Sequence, residues 1–126
     1  MMRILIVDDE PGVRLLCVRS LQTHYDVIPV ESADQAMARF ESAHPDLVVC
    51  DIGLPGMSGL KLIARFRAVL PELPVLIITG KASGDLLEPD EKRTAFLAKP
   101  FTTDQLRDAV FALLNHPDGA ATEVKP

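Results

Sequence analysis

The chain has little of what several common protein classes require. It contains no tryptophan, a single tyrosine, and only two cysteines in 126 residues. Cys17 and Cys50 lie in apolar stretches without a partner at metal-ligand or CxxC spacing, so they read as small buried hydrophobes and not as a disulfide or a zinc site. Long apolar runs are also missing. The longest, Ala109 to Leu114, falls far short of the roughly 20 residues that a membrane-spanning helix needs. Ile4 to Val7 is too short for a secretory signal and is cut off at once by Asp8-Asp9-Glu10. Basic residues are the minority, 13 Lys+Arg against 18 Asp+Glu for a net charge of −5. A surface that gathers nucleic acid or anionic lipid needs clustered Lys and Arg, and here Arg65, Arg67, Lys92 and Arg93 are scattered. The expectation is a protein of the cytoplasm with no membrane contact and no direct nucleic-acid binding.

What is present is enough for one packed domain. Hydrophobic residues make up 48% of the chain and charged residues 25%, which excludes disorder. A chain of this length is one domain's worth. Residues 1–116 are expected to form it, and 117–126, past the stop signal Asn115-His116-Pro117-Asp118-Gly119, to be a flexible tail.

Short aliphatic runs alternate with helical patterns. Arg3 to Val7, Asp26 to Val30, Leu47 to Cys50, Val75 to Ile78 and Phe96 to Ala98 read as strands buried on both faces. Between and after them, apolar stripes run through Val13, Leu16, Cys17 and Leu21; Ala33, Ala36, Met37 and Phe40; Leu62, Phe66 and Val69, with Ile63 and Leu70 alongside; and Leu106, Ala109, Val110 and Leu113. Pro11 suits a first helical turn, and Ser32 with Gln35 and Thr102 with Gln105 are capping-box pairs, so helices start near 11, 33, 58 and 103. Lys81 to Ala95 has no apolar stripe and carries Pro89, so a helix there is short, irregular or absent. Strands alternating with helices imply right-handed βαβ units. The expected fold is α/β, a flavodoxin-like doubly wound parallel sheet of five strands in the order 2-1-3-4-5, with about five helices and the fourth short or irregular.

In such a sheet, ligands gather beyond the carboxyl ends of strands one and three. The residues standing there are Asp8 and Asp9 after strand one, Asp51 after strand three, Thr79 and Gly80 after strand four, and Lys99 after strand five. Three converging carboxylates repel one another unless a cation neutralises them, and hard oxygen ligands describe Mg²⁺, with Mn²⁺ the alternative. An aspartate between a metal and an ammonium is poised to attack phosphorus, which makes Asp51 the candidate nucleophile. Thr79 adds a hydroxyl donor, and Gly80 leaves its backbone N–H open to a phosphoryl group. Any one of these residues could be an ordinary solvated loop residue. Their joint occurrence is what carries chemical meaning. His24, His44 and His116 fall at element boundaries away from the cluster and read as surface residues.

The pieces Ile4-Leu5-Ile6-Val7-Asp8-Asp9-Glu10, Asp51-Ile52-Gly53-Leu54-Pro55-Gly56-Met57-Ser58-Gly59, Thr79-Gly80 and Phe96-Leu97-Ala98-Lys99-Pro100-Phe101 together resemble the receiver domain of bacterial two-component response regulators. The resemblance covers about Arg3 to Leu114. It implies that Asp51 accepts a phosphoryl group from a histidine kinase or histidine phosphotransfer protein. It also implies that Asp9, Asp51 and the Gly53 carbonyl ligate Mg²⁺ with Asp8 acting through water, and that Lys99–Pro100 is a cis peptide. Thr79 and Phe96 would form a switch read by a downstream protein target, and Phe96, unlike the Tyr some relatives use, has no hydroxyl to donate. Lys81, two residues past Thr79, is expected to reach toward the site. The protein would catalyse only its own phosphorylation and dephosphorylation, as a monomer or weak homodimer. Such a chain is either a stand-alone receiver or a piece of a longer regulator. Two other readings compete. An aspartyl-phosphate phosphatase would need a second acid two residues after the nucleophile, where this chain has Gly53, and a substrate cap for which there is no room. An adaptor with a vestigial pocket would be missing part of the cluster, and nothing is missing.

Overall fold

A computed structural model of the chain describes residues 1–80, 93–115 and 122–123, the last two as backbone only. Element order is β1 (Arg3–Val7), α1 (Pro11–Leu21), β2 (Asp26–Val30), α2 (Ala33–Ala43), β3 (Leu47–Asp51), α3 (Gly59–Val69), β4 (Val75–Thr79), β5 (Thr94–Ala98), α4 (Thr103–Asn115) and β6 (Thr122–Glu123). All strand pairs are parallel, in the order β2-β1-β3-β4-β5-β6. The expected 2-1-3-4-5 arrangement is therefore present, with a two-residue sixth strand beside β5. That strand was not legible in the sequence, which reads 117–126 as a tail. It pairs Ala95 with Thr122 and Phe96 with Glu123, giving backbone partners to an otherwise open sheet edge. The helix expected between Lys81 and Ala95 falls mostly on 81–92, outside the described residues, as does Lys81. Four helices stand among the described residues.

Alternation along each strand splits the core in two. Leu5, Val7, Val48, Cys50, Val75, Ile77 and Phe96 face α2 and α3, where Ala36, Phe40, Leu62, Ile63 and Phe66 are buried. Ile4, Ile6, Leu47, Val49, Leu76, Ile78, Ala95 and Leu97 face α1 and α4, meeting Cys17, Leu21, Leu106, Val110 and Leu113. Phe40 and Phe66 stack with centroids 4.2 Å apart, an arrangement that holds α2 against α3. Pro29 is tolerated because β2 is an edge strand. Both cysteines are buried, as expected; burial pushes the Cys17 thiol up to about 12 and raises that of Cys50 as well, so neither is a reactive thiolate.

The capping signals place the helix starts. Thr102 and Gln105 form a reciprocal box, the Gln105 N–H donating to Thr102 Oγ1 at 3.1 Å and the Thr102 N–H to Gln105 Oε1 at 2.8 Å. Ser32 accepts from the Gln35 N–H, although the Gln35 side chain reaches the Glu31 N–H instead of that of Ser32. Ser58 caps α3 from outside, accepting from the Lys61 N–H. The stripe of α3 is shorter than its periodicity suggests: Val69 is 64% and Leu70 40% exposed, because the last turn overhangs the buried face.

Candidate functional site

Because β3 returns to the far side of β1, the carboxyl ends of these neighbouring strands open a crevice where α1 and α3 diverge. Asp8 follows β1, Asp51 ends β3, Thr79 ends β4, and Lys99 follows β5. An open cleft of about 490 Å³ is lined by Glu10, Asp51, Ile52, Gly53, Ser58, Leu60, Thr79, Gly80 and Lys99. Carboxylate oxygens from Asp8, Asp9, Glu10 and Asp51 can lie within 4.8 Å of one another. Asp8, Asp51 and Thr79 are buried, whereas Asp9 and Glu10 are exposed.

Lys99 is the hub. Its Nζ lies 3.0 Å from Asp8 Oδ2, 2.9 Å from Glu10 Oε1 and 3.0 Å from Asp51 Oδ2. Burial works against its charge, but Glu10, Asp51 and Asp8 outweigh burial and hold the ammonium above the usual lysine range. The Lys99 N–H donates to the Thr79 carbonyl at 2.8 Å, which fixes the lysine's origin beside β4, and the Lys99–Pro100 peptide is cis. Asp51 is held on both sides, with the Gly53 N–H donating to Oδ1 at 2.9 Å and Lys99 facing Oδ2. A Cβ built on Gly80 would meet nothing within 4 Å among the described residues. Gly53, whose N–H donates to Asp51, and Gly80 border the same cleft.

Asp8 is the strained member. Its Oδ1 accepts from the Glu10 N–H at 2.8 Å, while the buried Oδ2 has no hydrogen-bond partner among the described residues; the Lys99 contact there, at 3.0 Å, is an ion pair. Burial raises its carboxyl above the ordinary value, partly offset by the Glu10 N–H and Lys99. A buried, anionic, unsatisfied oxygen beside two further aspartates is what a hard divalent cation satisfies, so the residues present fit Mg²⁺.

This has a measurable consequence. Asp8 binds its proton more tightly in the folded than in the unfolded chain, so metal-free stability falls as pH rises from the unfolded through the folded value. Asp8→Asn is expected to raise the metal-free melting temperature at pH 7. It is also expected to weaken the stabilisation by Mg²⁺, which for the wild type is about 1.4 kcal/mol at ten times the dissociation constant. Thermal melts with and without MgCl₂ check both; an unchanged Mg²⁺ shift in the variant would rule out Asp8 as part of the cation site.

The structure thus brings Asp8, Asp9, Asp51, Gly53, Thr79, Gly80 and Lys99 to one crevice. Phe96 stands apart, one strand back: it is 9% exposed, sits opposite Ile77 of β4, and packs in the α2–α3 core. His24 and His44 lie elsewhere; His44 is the left-handed C-cap of α2, and His116 is outside the described residues. Sequence reasoning missed Glu10 as a lysine partner. It also missed Arg14, whose Nη1 donates to the Asp8 carbonyl at 2.8 Å and ties α1 to the end of β1. The only sequence signal for Glu10 was its place directly after the aspartate pair.

A doubly wound parallel sheet with an acidic crevice pinned by one lysine defines the class: a flavodoxin-like α/β domain with its site at the topological switch point. Comparison with known proteins gives the family. The response regulator receiver domain matches residues 4–111. The chain is 32% identical over 111 residues to the sporulation initiation phosphotransferase F of Bacillus subtilis, covering 86% of this chain and 90% of that protein. It is 37% identical over 123 residues to the two-component response regulator PhoP of Pseudomonas aeruginosa, covering 94% of this chain and 54% of that protein, so it spans about half of that relative's length. A response regulator receiver protein from Sinorhizobium medicae has a similar structure, with a TM-score of 0.81 at 32% identity over 92% of this chain and 96% of that one. This chain belongs to the receiver-domain family of two-component response regulators. No described helix is long and apolar enough to cross a membrane.

Proposed function

We propose that Asp51 is the phosphoacceptor of this receiver domain, taking its phosphoryl group from a phosphohistidine of a histidine kinase or histidine phosphotransfer protein. The observation that carries this is the placement of Asp51 Oδ2 3.0 Å from Lys99 Nζ at an open cleft that also holds the unsatisfied Asp8 oxygen. An Asp51 carboxylate oxygen forms a bond to phosphorus as the P–N bond to the imidazole breaks, and the imidazole leaves with the electron pair. Lys99, held protonated, neutralises phosphoryl charge on one side. Asp8, Asp9 and Asp51, with the Gly53 carbonyl, would hold Mg²⁺ or Mn²⁺, which supplies charge neutralisation on the other. The Gly80 N–H and the Thr79 hydroxyl border the space where phosphoryl oxygens would sit.

In this reading the protein catalyses its own phosphorylation and dephosphorylation and turns over no separate substrate. Residues 1–116 are the signalling unit, working in the cytoplasm as a monomer or weak homodimer. Thr79 and Phe96 carry the change outward to a downstream protein target. Phe96 has no hydroxyl, so packing alone sets its preference between states.

Incubation with a small acyl phosphate or phosphoramidate tests the proposal. Intact mass is expected to show one added phosphoryl group per chain with MgCl₂ present and none with excess chelator. Absence of any gain would sink the assignment, and repeated hydrolysis of an added phosphomonoester would favour a phosphatase.

A further inference from the structure

An ammonium has three N–H bonds, and Lys99 Nζ has three carboxylates within 3.0 Å. Two of them, Asp8 and Asp51, belong to the buried floor of the pocket. The third, Glu10, does not. Glu10 occupies the N-cap of α1, where a short side chain ordinarily caps the helix, yet its side chain makes no capping bond. Pro11 follows as the first helical residue and brings no N–H to be capped. The Glu10 carboxylate is thereby left to reach across the crevice to a lysine 89 residues away. Its side chain is 59% exposed, against 0% for Asp8 and 9% for Asp51.

These contacts differ in how readily they can be released. Water can take over the Glu10 carboxylate when Lys99 leaves it, whereas Asp8 Oδ2 is buried and Lys99 is its charge partner among the described residues. A phosphoryl group on Asp51 brings new anionic oxygens into reach of Lys99, whose ammonium already donates to Glu10 and Asp51 and lies against Asp8. Moving the ammonium toward them loosens its hold on a carboxylate, and releasing the exposed one costs least.

Resting on the reading of Asp51 as phosphoacceptor, we propose that Glu10 is a positioning residue acting through Lys99: it draws the ammonium toward α1 in the unphosphorylated protein and competes with the phosphoryl group for it. Glu10 then sets how far the phosphorylated state is populated. Its negative charge at the mouth of the cleft acts in the same direction, repelling an incoming phosphoryl anion.

The test compares wild type, Glu10→Gln and Glu10→Asp for steady-state phosphorylation at limiting small phosphodonor and saturating MgCl₂, with the half-saturating Mg²⁺ concentration and melting temperature measured alongside. Gln removes the charge. Asp keeps the charge but is one methylene too short to hold Lys99. Both variants are expected to show about two- to fivefold more phosphoprotein relative to unmodified chain, the range given by loss of an exposed ion pair, with no rise in the Mg²⁺ requirement. Unchanged or reduced phosphorylation in Glu10→Gln overturns the proposal. So does a gain in Glu10→Gln with Glu10→Asp at wild-type level, which would mean general charge repulsion and not competition through Lys99. A raised Mg²⁺ requirement would mean that Glu10 serves the cation, and overturns it too. Wild type that gains no phosphoryl group overturns the Asp51 reading and this inference with it; wild type modified normally and matched by Glu10→Gln overturns the inference alone.

Discussion

Asp51→Asn is expected to gain no phosphoryl group under conditions in which the wild type is modified. The substitution is nearly isosteric, so the Gly53 N–H at 2.9 Å and the cleft should persist. What changes is chemical. An amide has no anionic oxygen to form the acyl phosphate, and it gives up the charge that faces Lys99 at 3.0 Å. Asp8 and Asp9 each retain a carboxylate in the crevice, so a gain by the variant equal to that of the wild type would show that another acid is the acceptor. Intact mass and peptide mapping of both proteins measure this, and folding is checked by matching circular dichroism spectra. The same variant is expected to weaken, without abolishing, the thermal response to Mg²⁺, because Asp8 and Asp9 remain.

Gly59→Ala is expected to cost about 3 kcal/mol or more of stability. A Cβ at Gly59 would collide with the Asp51 carbonyl oxygen, lie 2.6 Å from Ile52 Cα, and come within 3.0 Å of the Asp51 carbonyl carbon. All three obstacles are backbone, so no side chain can swing aside; α3 must move off the end of β3. Its N–H bond to the Ile52 carbonyl at 3.2 Å would go with it. Because Asp51 is the residue pushed, phosphorylation should fall in the fraction that still folds. Gly56 in the same loop provides the control. It has a φ of +83° with nothing within 4 Å of its would-be Cβ, so Gly56→Ala pays only a left-handed backbone penalty of roughly 1–2 kcal/mol. Urea unfolding of the two variants separates these causes. A Gly59→Ala protein within 1 kcal/mol of wild type would mean that the β3–α3 junction is less tightly closed than its geometry indicates.

Much of this protein is written locally. Apolar runs that leave no polar alternation predict two-sided burial, and all five expected strands are there, with Asp51 and Thr79 as their last residues where the sequence reading stops one short. The difference has a simple cause: a polar residue at a strand end still pairs its backbone, which side-chain hydropathy does not register. Ser32 and Thr102 announce helix starts because capping is a local interaction. Gln35 is the local exception, its side-chain oxygen accepting from the Glu31 N–H rather than from that of the capping serine.

The sequence by itself determined the α/β alternation and the chemical identity of the groups at the strand ends, because periodicity, caps and strand-end position are properties of neighbouring residues. Tertiary structure decided what those groups are to one another. It buried Asp8 while leaving Asp9 exposed, left one Asp8 oxygen without a hydrogen-bond partner among the described residues, and laid Lys99 equally close to three acids, one of them the unpredicted Glu10. It also set Thr122–Glu123 against the edge of β5. Such contacts join residues tens of positions apart. They depend on which strands the crossovers make adjacent and on how much solvent the packed helices exclude, and no local pattern encodes either.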